Sequence, residues 1–372
     1  MVHVAVAGCV HGELDRLYAT VAAEVQRRRL TCPLVLCCGD FQCVRDEIDL
    51  ASMACPKRYR RMGDFVRYHD GESVAPYLTL FVGGNHEASH YLAEVPLGGW
   101  VAHHIYYLGR AGALRCASSG WRLAGLSGIY KEEDYRRAHD ERVPFRDADQ
   151  RSVYHVRERD ARCLSEALRC CVPAAASTTP VCDVLLTHDW PRGVAAYGAV
   201  PTLLQRKPFL AEEVHAQRLG SPALQSILSE PRAPTLWCAA HMHCAYEAHT
   251  PWRTRFVALD KAQANRPFLT FIDVGEALPA TPADCLAALV MDANWLAAVR
   301  RRYAGEAAAA AATSPIALSA MADRYAPDAS PRTPHTLARN PQTDYLLQHL
   351  GMQWHHLYTV AADDSLVGYA GD

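Results

Sequence analysis

The sequence predicts an α/β (α+β) fold in which two β-sheets pack together and helices cover their outer faces. Short apolar, β-branched runs alternate with amphipathic helical segments over the first 275 residues or so. Several of these runs end in a cluster of polar residues, as strands of open α/β sheets do at an active site. The chain of 372 residues, 50% hydrophobic, is long enough to bury a full core and carry an appendage.

The predicted strands are short runs bounded by polar residues or glycine. Five of them precede polar clusters: His3–Ala7, Leu34–Cys38, Leu78–Val82, Val184–Leu186 and Thr235–Ala239. Three more are Trp121–Leu126, Arg255–Leu259 and Phe268–Ile272. The first helix is predicted over Leu14–Arg29, because apolar residues recur there on one face.

The chain divides into a body over residues 1–275 and a C-terminal part over 276–372. Within the body, residues 131–159 are rich in charge and poor in apolar periodicity, which predicts an inserted surface loop grading into a helix near Val153. The C-terminal part is predicted to hold a helix over Leu286–Tyr303 and an amphipathic segment over Asp344–Leu357. Between them, residues 304–341 contain an alanine run at 307–312 and are rich in Pro, Ser and Ala, which predicts a flexible segment.

Composition excludes several classes of protein. The net charge of −2 is unlike that of a fold that binds nucleic acid by its overall charge, so any RNA contact must come from local patches. No apolar run approaches the roughly 20 residues of a membrane span, and the first seven residues resemble a strand rather than a secretory signal. The 14 cysteines show no zinc-finger spacing, so we expect them to be reduced and intracellular.

The polar clusters after the five strands contain the residue types that bind metals. They are Cys9-Val10-His11, Gly39-Asp40, Gly84-Asn85-His86-Glu87, Thr187-His188-Asp189 and His241-Met242-His243. Strands that lie side by side bring their carboxyl ends to one edge of a sheet. Imidazole, carboxylate and amide oxygen ligands suit a dinuclear Zn, Fe or Mn centre. The clusters therefore predict a metal site at that edge.

Each cluster also has an ordinary structural interpretation. A single histidine at a strand end is usually structural, Cys9 alone is typical of a buried core cysteine, and Asn85 after two glycines is typical of a turn. Glu87 is expected either to orient His86 or to compensate charge at a helix N-terminus. The five clusters together favour the metal site over these separate explanations.

The order of these clusters resembles the calcineurin-like metallophosphoesterase superfamily. Longer blocks resemble one branch of it, the intron lariat RNA debranching enzymes. The blocks are AGCVHGELD (7–15), CGDFQCVRDEIDL (38–50), CPKRYRRMGDF (55–65), APYLTLFVGGNHEASHYL (75–92), LAGLSGIYK (123–131), LTHDWPRG (186–193), LGSPAL (219–224) and AHMHCAYEA (240–248), with weaker likeness at 291–300 and 339–352. The resemblance implies a two-sheet metallophosphoesterase β-sandwich flanked by helices. The 131–159 insertion would then be a lariat recognition loop, and 276–372 a C-terminal helical extension.

The resemblance also implies a ligand set. One pocket would consist of Asp40, Asn85, His188 and His241, and the other of Cys9, His11, Asp40 and His243, with Asp40 bridging the two. The superfamily usually has Asp where this chain has Cys9. Because a soft thiolate favours Fe²⁺ or Zn²⁺ over Mg²⁺, we expect one or two divalent ions of Fe, Zn or Mn, and a mononuclear form stays open. Ala240 stands where the family usually has Gly.

By resemblance, the activity is metal-assisted hydrolysis of the 2′–5′ phosphodiester at the branch point of intron lariats. His86 is the expected general acid, because it completes neither pocket and an imidazolium can donate a proton near neutral pH. Basic and aromatic residues near the metal edge, Tyr130, Lys131, Arg58 and Tyr59, are expected to contact the RNA, although a solvated charged surface explains them equally well. Expected partners are lariat RNA and spliceosome-associated or RNA-turnover proteins. The expected location is the nucleus, with shuttling to the cytoplasm.

Two rival functions stay open at this point. A metallophosphoesterase fold can act as a protein-binding scaffold with a defunct site, but such a protein is expected to lose ligands that this chain keeps. A metal-dependent phosphodiesterase or phosphatase with another substrate is expected to lack the polar insertion and the blocks at 55–65 and 219–224.

Overall fold

The computed structural model describes residues 1–170, 179–229, 232–305, 313–325, 327 and 332–358. Its strands are β1 (Val2–Ala7), β2 (Thr31–Cys37), β3 (Leu78–Phe81), β4 (Gly99–Ala102), β5 (Ile105–Tyr107), β6 (Ala111–Cys116), β7 (Arg122–Leu126), β8 (Val184–Thr187), β9 (Leu236–Ala239), β10 (Tyr246–His249), β11 (Arg255–Ala258), β12 (Leu269–Gly275), β13 (Leu289–Met291) and β14 (Ile316–Ala317).

The α-helices are α1 (Leu14–Arg28), α2 (Glu47–Ser52), α3 (Phe65–His69), α4 (Ser89–Glu94), α5 (Glu132–Tyr135), α6 (Asp147–Ser152), α7 (Glu158–Cys170), α8 (Val200–Arg206), α9 (Ala211–His215), α10 (Pro222–Leu228), α11 (Pro282–Ala288), α12 (Ala293–Ala304), α13 (Leu318–Ala322), α14 (Pro341–Leu350) and α15 (Trp354–Leu357). Short 3₁₀ turns lie at Lys57–Tyr59, Val194–Tyr197 and Pro208–Leu210. Among the described residues, no helix is both long and apolar enough to cross a lipid bilayer.

The strands form two sheets, as the sequence predicts. One sheet has the order β12-β1-β2-β3-β5-β4, and the other β10-β11-β9-β8-β7-β6-β13-β14. In the first sheet β1, β2 and β3 are parallel neighbours; in the second, β8 and β9 are. The five strands that precede the polar clusters thus lie in two sheets rather than at one edge of a single sheet. Their carboxyl ends meet where the two sheets approach each other.

The core lies between the sheets, and the alternation along β1 shows how. Val4 and Val6 are fully buried in the inter-sheet core, whereas Ala5 and Ala7 face the opposite way and pack beneath α1. Successive side chains of a strand point to opposite faces, so a strand covered on both faces is apolar throughout.

Helix α1 ends one residue earlier than predicted, because Arg29 adopts the left-handed conformation (φ 53°) that terminates the helix.

The C-terminal residues extend the second sheet, and the single helix predicted over Leu286–Tyr303 is wrong. The apolar run Leu289–Met291 pairs with the exposed edge of β6 instead of continuing the helix. Asp292 then accepts hydrogen bonds from the backbone N–H groups of Asn294 and Trp295 and begins a new helix, α12. The pairing of Leu289–Met291 with β6 and the capping by Asp292 therefore outweigh the helical spacing of the apolar residues in this segment.

Part of the segment predicted to be flexible is packed structure. Residues 313–325 contain β14 and α13, whose Leu318 and Met321 are buried in the inter-sheet core. The alanine run at 307–312 lies outside the described residues. Near the end of the described chain, the Gln342 side chain accepts from the backbone N–H of Trp100 and donates to its carbonyl, so α14 covers the free edge of β4. The domain boundary at 275 stays a prediction.

The segment 131–159 lies largely at the surface, as its charge predicts, but it is more structured than a plain loop. It contains α5, α6 and the start of α7, and several of its charges are buried against one another. Arg157, 1% exposed, pairs with Glu141, and His139 lies 3.2 Å from Asp160. Opposite charges at close range offset their desolvation, so a charge-rich segment can fold against the body. Sequence pattern alone does not reveal such pairing.

Candidate metal centre

The loops that follow β1, β2, β3, β8 and β9 meet at the carboxyl edges of the two sheets. They carry the seven predicted ligands: Cys9, His11, Asp40, Asn85, His188, His241 and His243. Backbone hydrogen bonds join the loops in pairs: His11 N–H donates to the Asp40 carbonyl (2.6 Å), and Ala240 N–H donates to the His188 carbonyl (3.1 Å). The structure therefore brings all seven residues into one cluster.

The backbone is strained at this cluster. Of the ten non-glycine residues with positive φ in the described part of the chain, four are predicted ligands: His11 (52°), Asp40 (46°), His241 (60°) and His243 (46°). Such conformations cost on the order of 1–3 kcal/mol each and persist where the surroundings enforce them, most often at functional sites. Ala240 is not among these residues, so its methyl group in place of glycine meets no backbone strain.

Two glycines let the loops approach closely. A Cβ on Gly84 would lie 2.2 Å from Asp40 Oδ1 and 2.7 Å from His188 Cε1. A Cβ on Gly39, whose φ is +107°, would lie 2.3 Å from His188 Nδ1. A side chain at Gly84 would displace the carboxylate and the imidazole, and one at Gly39 would displace the imidazole.

The first pocket contains converging lone pairs. His188 Nδ1 lies 2.8 Å from the Cys38 carbonyl oxygen, which can only accept, so Nδ1 carries the proton and Nε2 presents a lone pair. That Nε2 lies 3.1 Å from Asn85 Oδ1 and 3.3 Å from Asp40 Oδ1. The His241 ring centroid is 4.9 Å from that of His188. Three acceptors facing one another fit a cation between them.

The second pocket combines sulfur, nitrogen and oxygen. Ligand atoms of Cys9, His11, Asp40 and His243 all lie within 4.8 Å of one another. His11 Nε2 is 3.0 Å from His243 Nε2 and 3.6 Å from Asp40 Oδ2. This donor set suits Zn²⁺ or Fe²⁺.

Asp40 connects the two pockets. Its Oδ1 faces His188 and its Oδ2 faces His11. The side chain is buried, and Oδ2 accepts no hydrogen bond from the described residues. Burial alone would raise the pKa of this carboxyl, but His188, His11 and His86 hold it well below its usual range. A buried, ionised carboxylate with one oxygen facing each of two ligand sets, and with Oδ2 unsatisfied, fits a bridge between two cations.

Burial shifts the pKa values of the other predicted ligands. It lowers the pKa of His188 to about 4 and that of His243 to about 3, so both imidazoles are neutral, the form that binds metals. Burial and the Asp40 charge raise the pKa of the Cys9 thiol. A thiolate at Cys9 therefore requires a bound cation to stabilise it.

His86, the predicted general acid, stands beside the second pocket. Its ring centroid is 5.4 Å from that of His11, and the side chain is half-buried. Its backbone N–H donates to Asp40 Oδ1 (2.8 Å), which fixes the residue relative to the shared carboxylate. The side chain is thus near both pockets without completing either. Its role as acid stays a prediction.

Glu87 has neither of the roles that the sequence suggests. Its buried carboxyl group accepts from the backbone N–H groups of Phe41 (2.7 Å), Gln42 (2.8 Å) and Gly84 (3.0 Å). Burial and the Asp40 charge raise its pKa to about 8, against the lowering effect of those hydrogen bonds. Glu87 therefore ties the Asp40 loop to the Asn85 loop and positions both.

The four predicted RNA contacts divide into two places. Tyr130 donates its backbone N–H to Asp189 Oδ2 (3.1 Å), beside the predicted ligand His188, and Lys131 is exposed and paired with Glu133 (3.2 Å). Arg58 and Tyr59 are exposed, with the guanidinium 4.8 Å from the ring centroid. Among the described residues, no hydrogen bond, ion pair or ring contact joins the two pairs directly, and their contact with RNA stays a prediction.

Sequence reasoning missed Lys261, which lies beside the second pocket. Lys261 pairs in a β-bridge with Cys9, and the next residue, Ala262, donates its N–H to the Cys9 carbonyl (2.8 Å). Its charge contributes to lowering the pKa of His11 and His243, after the larger effect of burial. Among the described residues, no carboxylate lies within 4.0 Å of its ammonium group. Its position just after β11 was the available signal.

Comparisons with known proteins agree with the sequence resemblance. The family model for calcineurin-like phosphoesterases matches residues 2–245, and the model for the lariat debranching enzyme C-terminal domain matches residues 251–319. The chain is 44% identical over 307 residues to a lariat debranching enzyme of Homo sapiens (80% of this chain, 53% of that protein). It is 41% identical over 304 residues to one of Arabidopsis thaliana (80% and 68%).

The chain spans about half the length of the vertebrate relatives it matches. Among solved structures, a dimetal phosphatase from Danio rerio aligns with a TM-score of 0.38 and 15% identity, covering 73% of this chain and 91% of that chain.

Proposed function

Because the chain belongs to the calcineurin-like phosphoesterase family and, within it, to the lariat debranching enzymes, we propose that it hydrolyses the 2′–5′ phosphodiester at the branch point of intron lariat RNA. The products are linear RNA with a free 2′-hydroxyl at the branch nucleotide and a 5′-phosphate on the released end. The observation that carries the proposal is Asp40, whose two carboxylate oxygens each face a separate set of ligands. This arrangement suits phosphoester hydrolysis with divalent cations.

The metal would be held by Asp40, Asn85, His188 and His241 in one pocket and by Cys9, His11, Asp40 and His243 in the other. When bound, divalent cations neutralise charge on phosphoryl oxygens and lower the pKa of water. We propose Fe²⁺, Zn²⁺ or Mn²⁺ as the ion, with one or both pockets occupied. The Cys9 thiol supports Fe²⁺ or Zn²⁺ in the second pocket, because thiolates prefer softer cations than Mg²⁺.

Side chains of the protein position the substrate phosphate and supply a proton to the leaving group. His86 protonates the 2′-oxygen as it leaves, since an alkoxide is a poor leaving group without a proton. Glu87 keeps the Asp40 and Asn85 loops at the spacing that the substrate phosphate requires, through three backbone hydrogen bonds. Lys261 binds a phosphate oxygen beside the second pocket, where a positive charge without a carboxylate partner is stabilised by an anion.

RNA contacts and cellular context belong to the same proposal. Tyr130 and Lys131 contact the nucleotides next to the branch, supported by the link from Tyr130 to Asp189 at the metal edge. Arg58 and Tyr59 contact RNA farther away. The protein acts in the nucleus with shuttling to the cytoplasm, beside spliceosome-associated or RNA-turnover proteins. Localisation of the tagged full-length protein tests this part.

The experiment compares three substrates at equal concentration. Purified protein, stripped of metal and reloaded with Fe²⁺, Mn²⁺ or Zn²⁺, is incubated with a synthetic 2′–5′ branched RNA, a linear 3′–5′ RNA of the same sequence, and bis(p-nitrophenyl) phosphate. We expect cleavage of the branched RNA at the 2′–5′ bond, no cleavage of the linear RNA, and no activity in chelator. Cleavage of the activated diester without the branched RNA would instead identify a phosphodiesterase with another substrate.

A further inference from the structure

A surface groove runs along the outer face of α7, away from the metal ligands. It is open to solvent and lies between α7, α10 and α12, with one residue of α5 at its end. The lining residues are Tyr135, Ala161, Arg162, Ser165, Glu166, Arg169, Cys170, Ala223, Ser226 and Arg302. We call it the α7 groove.

The α7 groove is rich in arginine, although the net charge of the chain is −2 and Arg162 pairs with Glu158 on the same helix (2.7 Å). Its lining contains three arginines, Arg162, Arg169 and Arg302, and one carboxylate, Glu166. Glu166 is already neutralised by Arg301 (2.6 Å) and Arg302 (2.7 Å). Arg162 and Arg169 are exposed on the same face of α7, two turns apart. Arginines therefore outnumber carboxylates in the lining, which favours an anionic occupant.

Two tyrosines connect the groove with the metal edge. Asp189, next to the predicted ligand His188, accepts from the backbone N–H of Tyr130 (3.1 Å). The Tyr130 ring lies 5.3 Å, centroid to centroid, from that of Tyr135, which lines the groove. Both side chains are half-buried, so each keeps part of its ring open to solvent.

We propose that the α7 groove binds one single-stranded arm of the branched RNA through its phosphates, while Tyr130 and Tyr135 stack on bases between the groove and the metal edge. This inference rests on the proposed function. A branch nucleotide joins three strands, and only one of its phosphodiesters can be at the reacting position, so the other strands must leave across the protein surface. Arginines for phosphates and aromatic rings for bases are the combination by which proteins hold single strands.

The dimensions agree with this occupant. From Ala161 to Cys170 the lining follows α7 for about 14 Å, at about 1.5 Å per residue, which is room for a few extended nucleotides. An acidic peptide shares the charge of RNA but gains nothing from the two tyrosines between the metal edge and the groove. The continuity of these aromatic rings with the metal site favours RNA.

The test compares two double variants that each remove two positive charges. Arg162→Gln/Arg169→Gln removes two positive charges from the lining of the α7 groove. Arg27→Gln/Arg218→Gln removes two positive charges elsewhere and is the control. Arg27 and Arg218 are as exposed as Arg162, and each is paired with a glutamate close in sequence, as Arg162 is with Glu158. Each protein is assayed on a minimal branched trinucleotide and on branched RNAs whose 2′ or 3′ arm is extended by about ten nucleotides.

For Arg162→Gln/Arg169→Gln, we expect KM to rise about tenfold on one of the two long-armed substrates, with kcat and both constants for the trinucleotide unchanged. The slope of log(kcat/KM) against log[salt] on that substrate should become shallower by about 1.4, about 0.7 for each lost phosphate contact. The control should match wild type on every substrate. Equal KM for wild type and groove variant on both long substrates overturns the inference, as does an equal loss on the trinucleotide.

Direct binding separates this inference from the proposed function. Wild-type protein should bind an unbranched single-stranded RNA of about ten nucleotides more tightly than Arg162→Gln/Arg169→Gln does, measured by fluorescence anisotropy. If a poly-glutamate peptide instead binds in an arginine-dependent way and the RNA does not, the groove is a protein-docking site and the inference fails. If wild type binds the RNA through these arginines yet cleaves no branched substrate, the proposed function fails and the groove stands as an RNA site.

Discussion

Two buried polar clusters are built mainly from residues that follow β2 and β3, and they differ in how their charges are neutralised. In one, Arg45 donates to all four carboxylate oxygens of Asp49 and Glu94 at 2.7–3.2 Å, and its guanidinium lies 3.4 Å from the Tyr91 ring centroid. In the other, Asp40 faces His188 and His11, whose ring nitrogens are neutral or nearly so at neutral pH.

The difference separates a structural cluster from a functional one. The Arg45 cluster contains its own counter-ions, so it is complete as a folded unit and serves to fix α2 and α4. The Asp40 cluster directs a negative charge and several lone pairs at a common space, which costs free energy unless a cation enters. A buried polar cluster therefore indicates a ligand site when its groups lack complementary partners within the protein.

The largest effect is expected for Asp40→Asn, which removes the charge shared by both pockets while keeping the side chain's size. Hydrolysis of branched RNA should be abolished and bound metal should fall, as measured by elemental analysis of the purified protein. Because metal binding stabilises the folded state, chelator should lower the Tm of wild type but leave that of the variant unchanged. Full metal content with retained activity would mean that Asp40 is not the bridge.

His86→Ala is expected to slow cleavage of branched RNA by roughly 10²–10⁴-fold with metal content unchanged. The loss should be much smaller for bis(p-nitrophenyl) phosphate, whose phenolate leaves without a proton. The comparison is made from kcat on both substrates together with elemental analysis. An equal loss on the two substrates would assign His86 to phosphate binding rather than to proton donation.

Arg45→Met tests the Arg45 cluster and should lower the stability of the protein without changing its metal site. Removing the cation leaves Asp49 and Glu94 buried, although Arg332 still lies 2.9 Å from Asp49. The free energy of unfolding should fall by about 3 kcal/mol, measured by urea denaturation. The folded fraction should keep its metal content. Arg27→Met, at an exposed ion pair, is the control and should not change stability measurably.

The smallest effect is expected for Lys261→Met, which lies beside the Asp40 cluster. Losing one charged hydrogen bond to phosphate should raise KM for branched RNA roughly tenfold with metal content unchanged. Lys261→Arg should restore most of the affinity. Arg28→Met is the control, because Arg28 lies at the far end of α1 over the Phe271 ring. An unchanged KM would show that Lys261 touches no substrate.

Much of the fold was predictable because its signals are local. Alternation in β1 and the apolar face of α1 follow from residues a few positions apart, and the five polar clusters follow strands that the sequence already marks. The break between α11 and α12 was not predictable from periodicity, because it depends on β6 offering an edge to Leu289–Met291. The burial of Arg157 in the insertion was missed for the same reason, since its partner Glu141 is identified only by contact.

The residues that could bind metal are recognisable from the order of the chain alone, because Cys, His, Asp and Asn have known ligand chemistry and stand at the ends of predicted strands. Three features become visible only when the chain is folded: the two oxygens of Asp40 face different pockets, Glu87 joins two loops instead of orienting His86, and Lys261 lies beside Cys9. These facts depend on distances between segments as far apart in sequence as residues 9 and 261. Such distances are fixed by the packing of two sheets, which no local pattern encodes.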